Sequence, residues 1–324
     1  MGFEVLEESA AHQPGGLTAW KNPAVVNPAQ SYLLALGTDQ SRRQMRRVLD
    51  RAARFFGYRD IFDCQWAKMR ALHLLTYKAK LEHEKKSPNT INSAIFALKG
   101  VARAAWGEQQ ISDHENAVIQ AVRGSRGRRD NRGSGRALQN EETDKLLSGC
   151  DAATNAGRRD ALIIALGVTA GLRRAEIAGI LIDDIREADH KINIIGKGNK
   201  LRAIYVIDEV WDLLQNWLAV RGRRGIKELF CCIRRGDHID FETPITGSAV
   251  YRILMRRAEV AGVASFTPHD LRRTFATNMF NAGADVNIVC KAMGHASIAT
   301  TQRYDKRTDA EVVRYAQRLR IRAR

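Results

Sequence analysis

Apolar residues recur at helical spacing along most of this chain. Ala29, Tyr32, Leu33 and Leu36 share one face of a first helix, and Pro28 suits its opening turn. Gly37 and Thr38 interrupt the pattern, and Ser41 stands where a cap would open a second helix with Met45, Leu49, Ala52, Ala53 and Phe56. Ser87, Pro88 and Thr90 mark the start of another, whose Ile91, Ile95, Leu98 and Val101 face inward. Leu138, Leu146 and Leu147 follow later, with Glu141, Glu142 and Asp144 as an acidic opening turn. Residues 158–170 (RRDALIIALGVTA) read as a buried helix that Gly171 breaks. Residues 191–196 and 201–207 then predict two strands joined by a GKGNK turn at 196–200. Helical spacing returns at 211–218 and 246–261, around a loop or short strand pair at 228–241 that has Arg234 and Arg235 at its tip. Past Thr267, Val286, Val289 and Met293 repeat behind a capping Asp285 and stop at Gly294, and Ser297 can cap one more short helix. The fold class is mainly α with a small antiparallel β-sheet: an all-helical N-terminal domain over 27–122, then an α+β domain over 137–324.

Two stretches lie outside that division. Residues 1–26 carry Pro-Gly-Gly at 14–16 and little periodicity, and are expected to form a flexible extension. Residues 123–136 (RGSRGRRDNRGSGR) hold six Arg and four Gly with no apolar side chain, so they read as a basic linker.

Charge narrows the function. Lys and Arg total 52 against 36 Asp and Glu, a formal +16 with a sequence pI near 10.0. A polyanion is the expected partner, with nucleic acid ahead of an anionic membrane surface. No apolar run reaches the length of a membrane span, and MGFEVLEESA lacks the basic start and apolar core of a signal peptide. The five Cys are scattered without a CxxC pair, which points to buried thiols in a reducing cytoplasm. Candidate phosphate contacts are Arg42, Arg43, Arg46 and Arg47 on the second helix, Lys99 and Arg103 on the next, and Arg126, Arg128 and Arg129 in the linker. Arg252, Arg256 and Arg257 stud the helix before residue 267.

The chemistry concentrates between Thr267 and Asp305. His269 and Arg272 are three apart on one helix, His295 directly follows a helix-ending Gly, and Tyr304 follows nine residues later. A phenol has a pKa of about 10 and attacks only beside a base or a cationic surround. An Arg fork matches phosphate oxygens, and imidazoles move protons or donate to the same oxygens. The set suits attack by a tyrosine on a phosphodiester, although each residue taken singly has an ordinary structural role. Upstream, Arg173 and Glu176 are spaced as a helix pair next to a buried helix, and Lys197 rides on the hairpin tip.

In order, Arg173, Lys197, His269, Arg272, His295 and Tyr304 resemble the signature of the tyrosine recombinases, or phage-type integrases. The matching text is GLRRAEI at 171–177, GKGNKLR at 196–202, HDLRRTFAT at 269–277 and MGHASIATTQRYD at 293–305. The helical first domain looks like that family's core-binding domain. The resemblance implies that Tyr304 attacks the scissile phosphate to give a 3′-phosphotyrosine and a free 5′-hydroxyl. It also implies that Arg173 and Arg272 clamp the non-bridging oxygens and that Lys197 protonates the leaving oxygen. His269 assists the proton of Tyr304, His295 hydrogen-bonds the phosphate, and Glu176 supports the Arg cluster. No metal, ATP or other cofactor is implied. The expected partners are a double-stranded recombination site, three further copies of the chain docked through a C-terminal stripe at 312–319, and an accessory directionality factor. The layout is nearest the compact, two-domain, Xer-like members, since no room exists for the large insertion of integron integrases or for a separate arm-binding domain. Integration and excision of a mobile element in the bacterial nucleoid is the expected role, with dimer resolution or transposition as alternatives. Other classes stay open at this point: a type IB topoisomerase, a DNA-binding module that never cuts, and a nuclease with His269 and His295 on a metal.

Overall fold

A computed structural model describes residues 26–126, 135–196, 200–295 and 297–305, together with Val313, Ala316 and Gln317. The chain divides into two compact units, Met1–Arg132 and Gly133–Arg324.

The described part of the first unit contains five α-helices: α1 (Pro28–Leu34), α2 (Asp39–Phe55), α3 (Ala71–His83), α4 (Pro88–Gly107) and α5 (Asp113–Ala121). Short polar side chains define most of their starts. Asn27 accepts from the amides of Ala29 and Gln30 ahead of Pro28, Ser87 accepts from Thr90, and Ser112 and Glu115 cap each other reciprocally at α5. At α2 the cap is Thr38, not Ser41. Thr38 Oγ1 accepts from the Ser41 amide at 3.2 Å, and Asp39 pairs with Arg42 in the first turn, so the helix opens three residues earlier than a Ser41 cap predicts. Leu49, Ala52 and Ala53 of α2 meet Ile91, Ile95, Leu98 and Val101 of α4 in one core, which Trp66, Leu74 and Tyr77 complete. Each fully buried aliphatic side chain there contributes about 1.5–3 kcal/mol.

The second unit is built on α7 (Asn155–Thr169), whose residues 161–166 are all buried. Around it stand α6 (Asn140–Ser148), α8 (Arg174–Ala178), α9 (Asp208–Arg221), α10 (Gly247–Val260) and α11 (Pro268–Asn281), followed by α12 (Val286–Met293) and α13 (Ile298–Gln302). Two antiparallel sheets occur among the described residues. The predicted hairpin is β2 (Lys191–Ile195) and β3 (Leu201–Tyr205), with β1 (Ile185–Arg186) added at its edge. The stretch around Cys231 and Cys232 forms the second sheet, β4 (Cys231–Arg234) with β5 (His238–Pro244). In the first sheet Ile192 pairs with Ile204 and Ile194 with Arg202, so the apolar face of the hairpin also carries a guanidinium.

One basic residue of α10 is corrected. Arg257 does not face outward with Arg252 and Arg256: its Nε donates to Asp160 at 2.8 Å and its Nη1 to the Gly149 carbonyl at 3.0 Å. Asp160 is 4% exposed and also accepts from Arg159, so Arg257 belongs to a buried ion network under α7.

Candidate active site

Four helix ends build the site. Helix α7 closes at Ala170, and Gly171 turns the chain with φ +59°. A side chain at Gly171 would run into the Phe275 ring, so only glycine fits both the backbone and the packing. That turn sets Arg173 at the start of α8, where the Glu176 carboxylate accepts from the Arg173 amide at 2.8 Å and from its Nη1 at 2.7 Å. Helix α11 opens with Thr267 and Asp270 capping one another and Pro268 in the first turn. Its Leu271 and Phe275 are buried, and it presents His269, Arg272 and Arg273 at the site. Helix α12 begins at Asp285, which accepts from the Asn287 amide, and ends at Gly294 in the left-handed conformation. The His295 amide then donates to the Cys290 carbonyl at 3.1 Å, fixing the exit of the chain. Ser297 precedes α13 but its side chain makes no capping bond.

These ends converge. The guanidinium of Arg272 is 1% exposed and donates to the carbonyls of Gly171 and Met293, which joins the ends of α7 and α12. Among the described residues, the other three of its five N–H donors make no hydrogen bond. The side chain of Arg173 is about a third exposed, and its Nη2 lies 3.5 Å from the Gly294 carbonyl. The Tyr304 hydroxyl sits 2.8 Å from His269 Nε2. The Tyr304 ring lies 6.1 Å from the His295 ring, and Arg273 stands over it at 5.7 Å. His295 Nδ1 is 2.8 Å from the hydroxyl of Thr301, which is fully buried.

The electrostatics favour an anion. Burial pushes Arg272 down to about 10, helped by the charge of Arg173, so it stays protonated at neutral pH. Burial, then Arg272 and Arg173, pushes His295 down to about 4. Burial, then Arg273 and Arg272, lowers His269 below its ordinary value. Both imidazoles are therefore neutral at pH 7. A neutral His269 that accepts from Tyr304 at Nε2 carries its proton on Nδ1, and a neutral His295 that accepts from Thr301 at Nδ1 keeps an Nε2–H to donate. Burial pushes the Glu176 carboxyl up, but the hydrogen bonds from Arg202 and the Arg173 amide outweigh it and hold it below the usual range.

The structure thus brings together Arg173, Glu176, His269, Arg272, His295 and Tyr304. Lys197 lies outside the described residues, as do Arg128, Arg129 and most of the stripe at 312–319. Sequence reasoning missed three participants. Arg202 donates to both oxygens of Glu176, Thr301 orients His295, and Arg273 bridges Asp270 and the Tyr304 ring. Arg202 carried a readable signal, because alternation along 201–207 puts it on the same face as Ile204. Among the described residues, no group of three or more His, Cys, Asp and Glu is placed to hold a metal ion.

The other phosphate-contact candidates differ in what they already touch. Arg43, Arg47, Arg126, Arg252 and Arg256 are exposed. Arg42 is paired with Asp39, Arg46 lies over the Phe62 ring, and Arg103 lies over the Phe96 ring. Lys99 donates from Nζ to the Gln120 carbonyl at 2.6 Å, which ties α4 to the end of α5.

The family model described as "Phage integrase family" matches residues 136–311, more than half of the 324. A tyrosine recombinase XerC of Corynebacterium glutamicum is 38% identical over 148 residues, which are 45% of this chain and 46% of that protein. The chain thus matches about half the length of that relative. A XerC of Herpetosiphon aurantiacus is 27% identical over 257 residues, 78% of this chain and 80% of that protein. Among solved structures, a lambda integrase dimer bound to a core site aligns with TM-score 0.65 at 16% identity, covering 86% of this chain and 95% of that one. The XerH recombinase bound to its difH substrate before cleavage aligns with TM-score 0.60 at 24% identity, covering 79% and 72%. These two share the fold.

Proposed function

The chain belongs to the phage integrase family, the tyrosine recombinases, and from that premise we propose that it cuts and rejoins DNA at a specific site through a 3′-phosphotyrosyl intermediate on Tyr304. The observation that carries this reading is the 2.8 Å contact between the Tyr304 hydroxyl and His269 Nε2, beside Arg173 and Arg272. The Tyr304 oxygen forms a bond to the scissile phosphorus and the bond from phosphorus to the 5′-oxygen breaks. The phenolic proton passes to His269, whose lowered pKa keeps it free to accept. Arg173 and Arg272 bind the non-bridging oxygens and stabilise charge as it develops, with His295 donating from Nε2. Lys197 delivers a proton to the departing 5′-oxygen. Glu176 orients Arg173.

The phosphotyrosine conserves the energy of the broken bond, so a 5′-hydroxyl from a second strand reverses the step without ATP. The guanidinium charge takes the place that a divalent ion fills in other phosphoryl-transfer sites, so the reaction proceeds without metal. Four copies on two DNA sites, the stripe at 312–319 docked on a neighbour and an accessory directionality factor complete the assembly. The exposed Arg43, Arg47, Arg252 and Arg256, with the linker, supply the phosphate contacts. Exchange at a mobile element's ends in the bacterial cytoplasm is the role proposed, ahead of dimer resolution and transposition. The test is a circular DNA carrying two copies of the sequence that flanks the gene, incubated with the protein in EDTA. Recombinant circles are expected. Relaxation of a plasmid that lacks the flanking sequence, with no recombinants, would instead make the protein a topoisomerase.

A further inference from the structure

Arg202 has no role assigned to it in the reaction above, yet it stands at its centre. It leaves strand β3 on the apolar face of the hairpin, opposite Ile194. Its Nη1 donates to Glu176 Oε1 at 3.0 Å and its Nη2 to Glu176 Oε2 at 2.9 Å. Glu176 also accepts from Arg173 at both oxygens, the amide at 2.8 Å and Nη1 at 2.7 Å. The carboxylate therefore receives four hydrogen bonds, two on each oxygen, which exhausts its acceptor sites. The remaining nitrogen of Arg202, Nε, is buried and has no partner among the described residues. Both of its described hydrogen bonds are spent on Glu176 and none goes to another residue.

Its surroundings link it to two other parts of the site. A side-chain carbon at Gly196, where the chain runs on to Lys197, would stand 3.0 Å from Arg202 Nη1. One at Gly294, next to His295, would stand 3.0 Å from the same nitrogen. Both neighbours are glycine, and a side chain at either would crowd the guanidinium.

We infer that Arg202 is a positioning residue for strand cleavage: it grips both oxygens of the Glu176 carboxylate alongside Arg173 and so fixes the guanidinium that faces the scissile phosphate. This rests on the recombinase reading. The physical case is a matter of balance. Glu176 is 6% exposed, and burial of a carboxylate without a second cation favours its neutral form, which would lose its acceptor role toward Arg173. Arg272 also faces it but is committed to two carbonyls. Arg202 is the cation whose only described hydrogen bonds go to this carboxylate.

A double-mutant cycle on full-length protein tests the assignment. Single-turnover cleavage of a nicked suicide duplex is measured at saturating protein, with DNA affinity and thermal melting measured separately. The expected result is that Arg202→Met cleaves about 10–100-fold more slowly, as a 1 Å misplacement does, while DNA affinity holds. Arg202→Lys, which keeps the charge and loses the fork, falls between. In the Glu176→Gln background, adding Arg202→Met slows the reaction by less than about threefold, because both changes break one device. Losses that multiply, or wild-type cleavage by Arg202→Met, would overturn the role. Should Arg202→Met fail to melt cooperatively, Arg202→Lys with Glu176→Gln makes the same comparison. Absence of any wild-type adduct would overturn the recombinase reading itself, whereas a wild-type adduct with multiplying losses overturns only the role of Arg202.

Discussion

Two glycines with the same backbone angle and different surroundings separate strain from positioning. Gly262, just past α10, and Gly294, just past α12, both sit at φ +61°. A methyl group at Gly262 meets nothing within 4 Å, whereas one at Gly294 meets Arg202 Nη1 at 3.0 Å and its Cδ and Cζ at 3.1 Å. The left-handed conformation costs an alanine about 1–2 kcal/mol, and the stiffer unfolded chain returns about 0.4–1, so each Gly→Ala change starts from a loss of about 1 kcal/mol. At Gly294 the guanidinium must also retreat a few tenths of an ångström to reach an ordinary carbon contact of about 3.5 Å. That stretches its bonds to Glu176, each worth about 1.5–3 kcal/mol as a charge-assisted hydrogen bond, and a partial loss adds about 1 kcal/mol. A 1 Å misplacement costs about a hundredfold in rate, so a shift of this size corresponds to roughly three- to tenfold. Urea unfolding and single-turnover cleavage read the two effects. Gly262→Ala should lose about 1 kcal/mol and cleave normally, and Gly294→Ala should lose about 2 kcal/mol and cleave more slowly by that factor. Equal stability losses with wild-type cleavage in both variants would refute the reasoning.

Other outcomes follow from the same geometry. His269 must be neutral to accept the Tyr304 proton and its pKa lies below the ordinary 6.5, so the half-fall of wild-type cleavage on acidification should lie below pH 6.5. Arg273→Gln removes one of the charges that lower it, and should move that fall upward; a wild-type half-fall above pH 6.5 contradicts the assignment. Thr301→Val deletes the partner of His295 Nδ1 and should slow cleavage about tenfold, with recovery in Thr301→Ser; an unaffected rate removes Thr301 from the site. Arg257→Ala should cost about 1.5–3 kcal/mol of stability, because Asp160 Oδ2 loses its charged donor while Arg159 still pairs Oδ1, and leave the salt dependence of DNA binding alone. Arg252→Ala and Arg256→Ala should do the reverse, each reducing the salt slope by about 1. Identical behaviour of the three on a salt titration would contradict their placement.

Helix starts were legible where periodicity and cap agree, as at Ser87 and Asp285, whereas Ala71–His83 and Asp113–Ala121 went unread within the helical domain. The second helix slipped because Ser41 and Thr38 are both good caps, and only the backbone geometry chooses between them. The inward turn of Arg257 could have been read, since it lies three residues after buried Leu254 while Arg252 and Arg256 lie off that stripe. The site was legible as far as its residues resemble a family signature, and the convergence of Arg173, Glu176, His269, Arg272, His295 and Tyr304 is a property of the folded chain. Arg202 could be suspected from a charge on the apolar side of a strand. Its partner lies 26 residues away, across a pairing that spacing does not reveal. The hydroxyl of Thr301 carried no signal, because threonine in a short polar helix is unremarked until His295 is seen beside it.

The central claim is that Tyr304 becomes covalently attached to DNA. Full-length protein is incubated in EDTA with a nicked suicide duplex carrying its own flanking sequence, and the products are run under denaturing conditions and mapped by peptide mass. A denaturant-resistant adduct through Tyr304, formed by wild type and absent in Tyr304→Phe, is the predicted result. An adduct that persists in Tyr304→Phe, or no adduct on DNA that the protein binds specifically, would contradict it.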